Sequence, residues 1–166
     1  MLAVPTTCYP LRVPWPPQRP GPTPARLRDQ PTWLISRAYT RASGLLNDGF
    51  GEHAAGLRGY HYRLLAVLEE QGPMSQAALG RSSSIDRSDV TVALSELETR
   101  GLIERAVDPE HGRRNIVSIT AAGIDELAVL DRIVADVQDR LLAPLDATQR
   151  RQLVTLLHRL LDADQA

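Results

Sequence analysis

From Thr32 onward the apolar residues fall at helical spacing. Leu34, Ala38 and Leu45, with Ile35, Ala42 and Leu46, recur at threes, fours and sevens and predict a first long helix ending near Gly49 or Gly51. A second stripe, Leu57, Tyr60, Leu64 and Leu68, stops at Gly72-Pro73, the punctuation expected of a helix end. Ser75 is placed to cap a short third helix through Leu79, and Ser82-Ser83-Ser84 reads as a turn. Asp86 then stands at the N-cap of a fourth helix, with Asp89 in capping-box spacing, and that helix runs to Arg100 and stops at Gly101.

The helical period is lost between Gly101 and Thr120. Two extended runs, Leu102–Val107 and Asn115–Ile119, flank Asp108-Pro109-Glu110-His111-Gly112 and predict a β-hairpin with a polar tip. Thr120 caps a fifth helix whose Ile124, Leu127, Leu130, Val134, Val137 and Leu141 form a long seam that requires a partner. After Pro144, Asp146 and Gln149 stand in capping-box spacing at the head of a sixth helix, with Leu153, Leu156, Leu157, Leu160 and Leu161 on one face. The fold class is therefore mainly α with a small β-hairpin wing.

Nine of the twelve prolines lie within the first 31 residues, so residues 1–30 read as a disordered Pro-rich tail, with a DNA-gripping basic arm or a polyproline ligand as alternatives. The 166 residues hold 43% hydrophobic and only 4% aromatic side chains, which predicts one soluble domain with an aliphatic core over residues 31–166. No apolar run approaches the roughly 18 residues of a membrane span. Pro5 and Pro10 interrupt any signal-like stretch, so the expected location is the cytoplasm. The lone Cys8 excludes an internal disulfide framework.

All 19 basic residues are Arg, against 20 acids, and the net charge of -1 offers no global attraction to nucleic acid. Any DNA binding must be local. The informative unit is residues 74–120: short helix, serine turn, capped helix and charged hairpin, the parts of a winged helix-turn-helix. In the fourth helix Val90, Ala93, Leu94 and Leu97 must face the core, which leaves Arg87, Ser88, Thr91 and Ser95 outward. Such a face suits base edges in a major groove, and a solvated helix face is the plainer alternative. Arg113 and Arg114 at the hairpin tip suit backbone phosphates or a minor groove, against a surface turn with solvated charges.

On these residues the chain resembles the multiple-antibiotic-resistance regulator (MarR) family of winged-helix transcription factors. The resemblance is carried by Ser84-Ile85-Asp86-Arg87-Ser88, Leu94-Ser95-Glu96-Leu97-Glu98-Thr99-Arg100-Gly101-Leu102-Ile103, Asp108-Pro109, Gly112-Arg113-Arg114-Asn115 and Ile119-Thr120-Ala121-Ala122-Gly123. It covers about residues 32–163. It implies a homodimer, with residues 31–56 and 120–166 as dimerisation helices and 57–119 as the DNA-reading part, two reading helices facing a pseudo-palindrome. Family members often carry Arg or Lys near positions 92 and 96, where this chain has Val92 and Glu96, with Asp89 and Glu98 nearby. Phosphate attraction should be weaker, with Asp89 and Glu96 pairing locally to Arg87 and Arg100, or Asp89 accepting from cytosine N4.

The resemblance further implies release from DNA by a small aromatic or phenolic acid. Trp33, Tyr39 and His61 are the candidate effector-binding residues, with Tyr60, Tyr62 and Arg63 on the same walls and core packing as the alternative for the rings. His53, His61, His111 and His158 show no close metal-ligand spacing, and neither a phosphate loop nor a nucleophile elbow is present. A non-enzymatic repressor without metal or cofactor is expected. The alternative is a winged-helix protein-interaction or ligand-sensing dimer without operator specificity.

Overall fold

In the computed structural model, which describes residues 23–107 and 115–162, the elements follow the order α1 (Ala25–Arg28), α2 (Pro31–His53), α3 (Gly59–Gln71), β1 (Met74–Ser75), α4 (Gln76–Ser83), α5 (Arg87–Thr99), β2 (Ile103–Val107), β3 (Asn115–Ile119), α6 (Ala121–Leu142) and α7 (Ala147–Asp162). The chain divides into two compact units, residues 1–37 and 38–166. Within the first, the described residues hold the helical turn α1 and the start of α2, so residues 25–28 are helical where the composition reads as tail. Residues 1–22, with most of the expected tail, lie outside the described residues. No described helix is long and apolar enough to cross a membrane.

The glycines near 50 do not end α2. Gly49 is buried in the helix, where an added Cβ would stand 3.0 Å from Val137 Cγ2 and 3.3 Å from Ile133 Cγ2. Its missing side chain lets α2 lie close against α6. The chain bends later, where Ala55 and Gly56 both take positive φ.

In the second unit the core gathers the inner faces of several elements. Leu64, Leu65 and Leu68 of α3, Leu79 of α4, Val90, Leu94 and Leu97 of α5, Val117 of β3 and Leu130 of α6 are all essentially inaccessible. Each contributes about 1.5–3 kcal/mol on burial.

The hairpin forms as expected, with Ile103 opposite Ile119 and Val107 opposite Asn115. A third strand joins it. Met74 pairs with Val117 and Ser75 with Ile116, giving the antiparallel order β1-β3-β2. Two residues are too few to show alternation, so β1 is invisible without its partner.

The caps separate into formed and unformed. Ser75 Oγ accepts from Ala78 N at 3.3 Å, and Thr120 Oγ1 accepts from Gly123 N at 3.0 Å. At α7 the capping box is complete: Asp146 Oδ1 accepts from Gln149 N at 2.9 Å, and Gln149 Oε1 accepts from Asp146 N at 3.0 Å. Asp86 occupies the N-cap of α5 by backbone geometry, but its side chain makes no cap hydrogen bond. The Asp86–Asp89 box is thus corrected: aspartate is one methylene shorter than the Glu or Gln that closes such a box. Ser82 and Ser83 also belong to α4 rather than to a turn. Ser83 Oγ donates to Leu79 O at 2.7 Å, which satisfies the hydroxyl within the helix, and Ser84 closes it in the left-handed conformation at φ 53°.

α7 buries no residue, while Val154, Leu156, Leu157, Leu160 and Leu161 are exposed. That face has no cover among the described residues.

Candidate nucleic-acid interface

The helix-turn-helix is α4, the short link Ser84-Ile85-Asp86 and α5. Arg63 of α3 braces the link, its Nη1 donating to Ser83 O at 3.2 Å and Ser84 O at 3.4 Å. With Val90, Ala93, Leu94 and Leu97 locked inward, Arg87, Ser88, Asp89, Thr91, Val92 and Ser95 are all exposed on α5. Val92 is an apolar residue on an otherwise polar face, with 58% of its surface accessible.

The threonines and serine of this face are tied to their own helix. Thr91 Oγ1 donates to Arg87 O at 3.1 Å, Ser95 Oγ to Thr91 O at 3.0 Å and Thr99 Oγ1 to Ser95 O at 2.8 Å. Two of these oxygens also accept. Gln76 Nε2 donates to Thr91 Oγ1 at 2.7 Å, joining α4 to α5, and Arg105 Nη2 of β2 donates to Ser95 Oγ at 3.1 Å. Arg105 Nε lies 3.3 Å from Glu98 Oε2, off the N–H axis, so the attraction there is chiefly electrostatic. Arg105 thereby links the wing to the reading helix.

Neither expected carboxylate pairing is made. Glu96 meets His61 of α3, with Oε2 at 2.8 Å from Nε2, instead of Arg100. Asp89 has no ion pair with Arg87 among the described residues. Arg100 turns away from Glu96 because its Nη1 donates to Ala55 O at 2.9 Å, tying the C-terminal end of α5 to the α2–α3 bend.

His61 is itself a correction. It is wholly buried, Nδ1 accepts from Arg58 N at 3.0 Å, and Nε2 lies 2.8 Å from Glu96 Oε2 but off the N–H axis, so that contact is chiefly electrostatic and the ring does not face an open effector site. With Nδ1 an acceptor, Nε2 carries the proton. Burial lowers its pKa below the usual imidazole value; Glu96 opposes that shift, and Arg100 and Arg58 add to it. The sequence offers no local sign of this pair, whose members stand on different elements.

Of the other expected effector residues, Trp33 is half-buried and Tyr39 is 72% exposed. Tyr62 OH donates to Asp131 Oδ1 at 3.0 Å, joining α3 to α6, and burial followed by that bond raises its pKa. A separate open groove of about 350 Å³ is lined by Gly49, His53, Arg132, Ile133, Asp136 and Arg140. The wing tip, with Arg113 and Arg114, lies outside the described residues.

A reading helix held on a three-stranded wing and presenting an exposed polar stripe defines a winged helix-turn-helix DNA-binding regulator. The comparisons agree. A family model described as MarR family matches residues 55–114. The crystal structure of a probable transcriptional regulator from Pseudomonas aeruginosa is similar with a TM-score of 0.73 at 36% identity, over 81% of this chain and 99% of that one. The HTH-type transcriptional repressor NicR of Pseudomonas putida is 26% identical over 145 residues, 86% of this chain and 89% of NicR. The PcaV transcriptional regulator from Streptomyces coelicolor, solved with its natural ligand, gives a TM-score of 0.73 at 26% identity, over 86% of this chain and 99% of PcaV. The chain belongs to the MarR family.

Proposed function

We propose that this protein is a cytoplasmic, non-enzymatic repressor that binds a pseudo-palindromic operator as a homodimer and is released by a small aromatic acid. The observation that carries the reading is the division of α5, with four wholly buried aliphatic side chains beneath an exposed stripe of Arg87, Ser88, Asp89, Thr91, Val92 and Ser95. A rigid helix of that kind enters a major groove, with Arg113 and Arg114 of the wing on phosphate or minor groove. Residues 57–119 form the reading part, and the helices of 31–56 and 120–166 the dimer. The uncovered aliphatic face of α7 supports a second copy as its cover.

Effector release is supported by the ligand-bound PcaV relative and by the groove between α2 and α6. Its two guanidiniums, Arg132 and Arg140, outnumber its single acid, Asp136, which lies 3.8 Å from Arg140, a balance that suits a carboxylate. Trp33 and Tyr39 remain separate aromatic candidates for effector contact.

The test is fluorescence anisotropy of the protein on the DNA flanking its own gene, against a scrambled duplex, across a salt series. Saturation at one dimer per specific duplex, reversed by an aromatic acid, is expected. Equal weak binding to both duplexes, and to every member of a random pool, overturns the reading.

A further inference from the structure

The outer face of α5 changes character along its length. At its N-terminal end Arg87 and Ser88 are exposed and keep donor hydrogens. From Thr91 onward every hydroxyl proton is given to a backbone carbonyl within the helix: Thr91 to Arg87 O, Ser95 to Thr91 O and Thr99 to Ser95 O. Thr91 Oγ1 accepts in turn from Gln76 and Ser95 Oγ from Arg105, so what these two oxygens keep for a ligand is one remaining lone pair each. The neighbouring guanidiniums are turned toward other partners, Arg105 toward Ser95 and Glu98 and Arg100, through Nη1, toward the Ala55 carbonyl.

Into this stripe Glu96 places a carboxylate. His61 holds Oε2 from beneath while the side chain keeps 45% of its surface accessible. Thr91, Val92, Ser95, Glu96, Thr99 and Arg100 together line a shallow groove of about 480 Å³ along the helix. Val92 supplies its exposed apolar surface.

We propose that Glu96 and Val92 are specificity-determining residues of this regulator: Glu96 accepts from the N4 amino group of a cytosine, and Val92 packs on a thymine methyl one or two base pairs away. The proposal rests on the operator-binding reading above. In the major groove cytosine N4 and adenine N6 donate, whereas guanine N7 and O6 and thymine O4 accept. A stripe made of acceptors therefore attracts an amino edge and repels guanine, and carboxylates pair best with cytosine N4. His61 is a positioning residue, fixing the carboxylate so that little side-chain entropy is lost on contact.

The test is selection of duplexes from a random pool by wild type, Glu96→Gln and Val92→Ala, followed by binding to the selected site with each thymine replaced by deoxyuridine. Glutamine has the same shape and keeps an oxygen to lie against His61 Nε2, but it can also donate, so Glu96→Gln leaves the fold intact. In the wild type one pair in each half-site should be cytosine on the contacted strand, by about tenfold or more over guanine, and Glu96→Gln should relax that position alone. Removing one thymine methyl should weaken wild type and leave Val92→Ala unaffected. An enriched motif that Glu96→Gln leaves unchanged, or guanine at the affected position, overturns the Glu96 assignment while the operator reading stands. Deoxyuridine effects identical in wild type and Val92→Ala overturn the Val92 assignment. A pool that yields no motif for the wild type overturns the operator reading and this inference with it.

Discussion

His61 Nε2 lies 2.8 Å from Glu96 Oε2, so a wholly buried ring on α3 touches the half-exposed flank of the reading helix α5. Arg58 and Arg100 are the charged groups that complete its surroundings, and the Tyr60 ring lies 4.3 Å away between centroids.

This arrangement predicts a pH dependence of stability. An unfolded imidazole titrates near about pH 6.5, and burial holds the folded value lower. Above the unfolded pKa both states are neutral and the contribution is fully present. As pH falls below it, the unfolded chain takes the proton first and stability is lost, by at most about 1.4 kcal/mol per pH unit, until the folded pKa is reached. Denaturant midpoints at pH 7.5 and 5.5 should fall further apart in wild type than in His61→Gln. Parallel losses would show that the ring titrates in the fold as it does in the open chain.

Gly123 lies in the first turn of α6, where a Cβ would strike the Leu102 carbonyl and come within 2.7 Å of Ile119 Cγ1. Gly123→Ala must therefore lift α6 from the base of the wing. Overpacking of this kind costs about 1–3 kcal/mol, and the upper end is expected because backbone is the obstacle. A thermal midpoint equal to wild type would mean that the helix shifts without resistance.

The exposed leucines of α7 mark the weak point of the proposed dimer. Leu157→Glu with Leu160→Glu would place four carboxylates in a twofold interface, at several kcal/mol per buried charge. The dissociation constant should rise by at least about a thousandfold, read by sedimentation equilibrium. A dimer unchanged by both substitutions removes α7 from the interface.

Arg113→Ala should weaken binding to all duplexes alike and lower the slope of log affinity against log salt by about 0.9, the loss expected for the one phosphate contact and released counterion proposed for Arg113. An unaltered slope would take Arg113 off the phosphate backbone.

Much of this architecture is legible locally. The threes and fours of Val90, Ala93, Leu94 and Leu97 separate the core face of α5 from its reading face, and all four are buried. The Asp146–Gln149 box and the Thr120 cap form where their spacing places them. Side-chain periodicity and capping are properties of adjacent turns, so neighbouring residues suffice to specify them.

The pairings of the site are another matter. Glu96 has Arg100 four residues away, yet Arg100 reaches the α2–α3 bend and Glu96 takes a histidine from α3. A nearby salt bridge on an exposed helix is worth only a few tenths of a kcal/mol, so tertiary contacts that satisfy buried groups override it. By the same logic β1 exists only because β3 lies beside it, and Gly123 is required only because the Leu102 carbonyl lies against α6. The sequence by itself determined which face of α5 turns inward and where the capped helices α4, α6 and α7 begin. The tertiary structure alone decided which polar groups on those faces stay free to meet a ligand, because that depends on atoms brought together from distant parts of the chain.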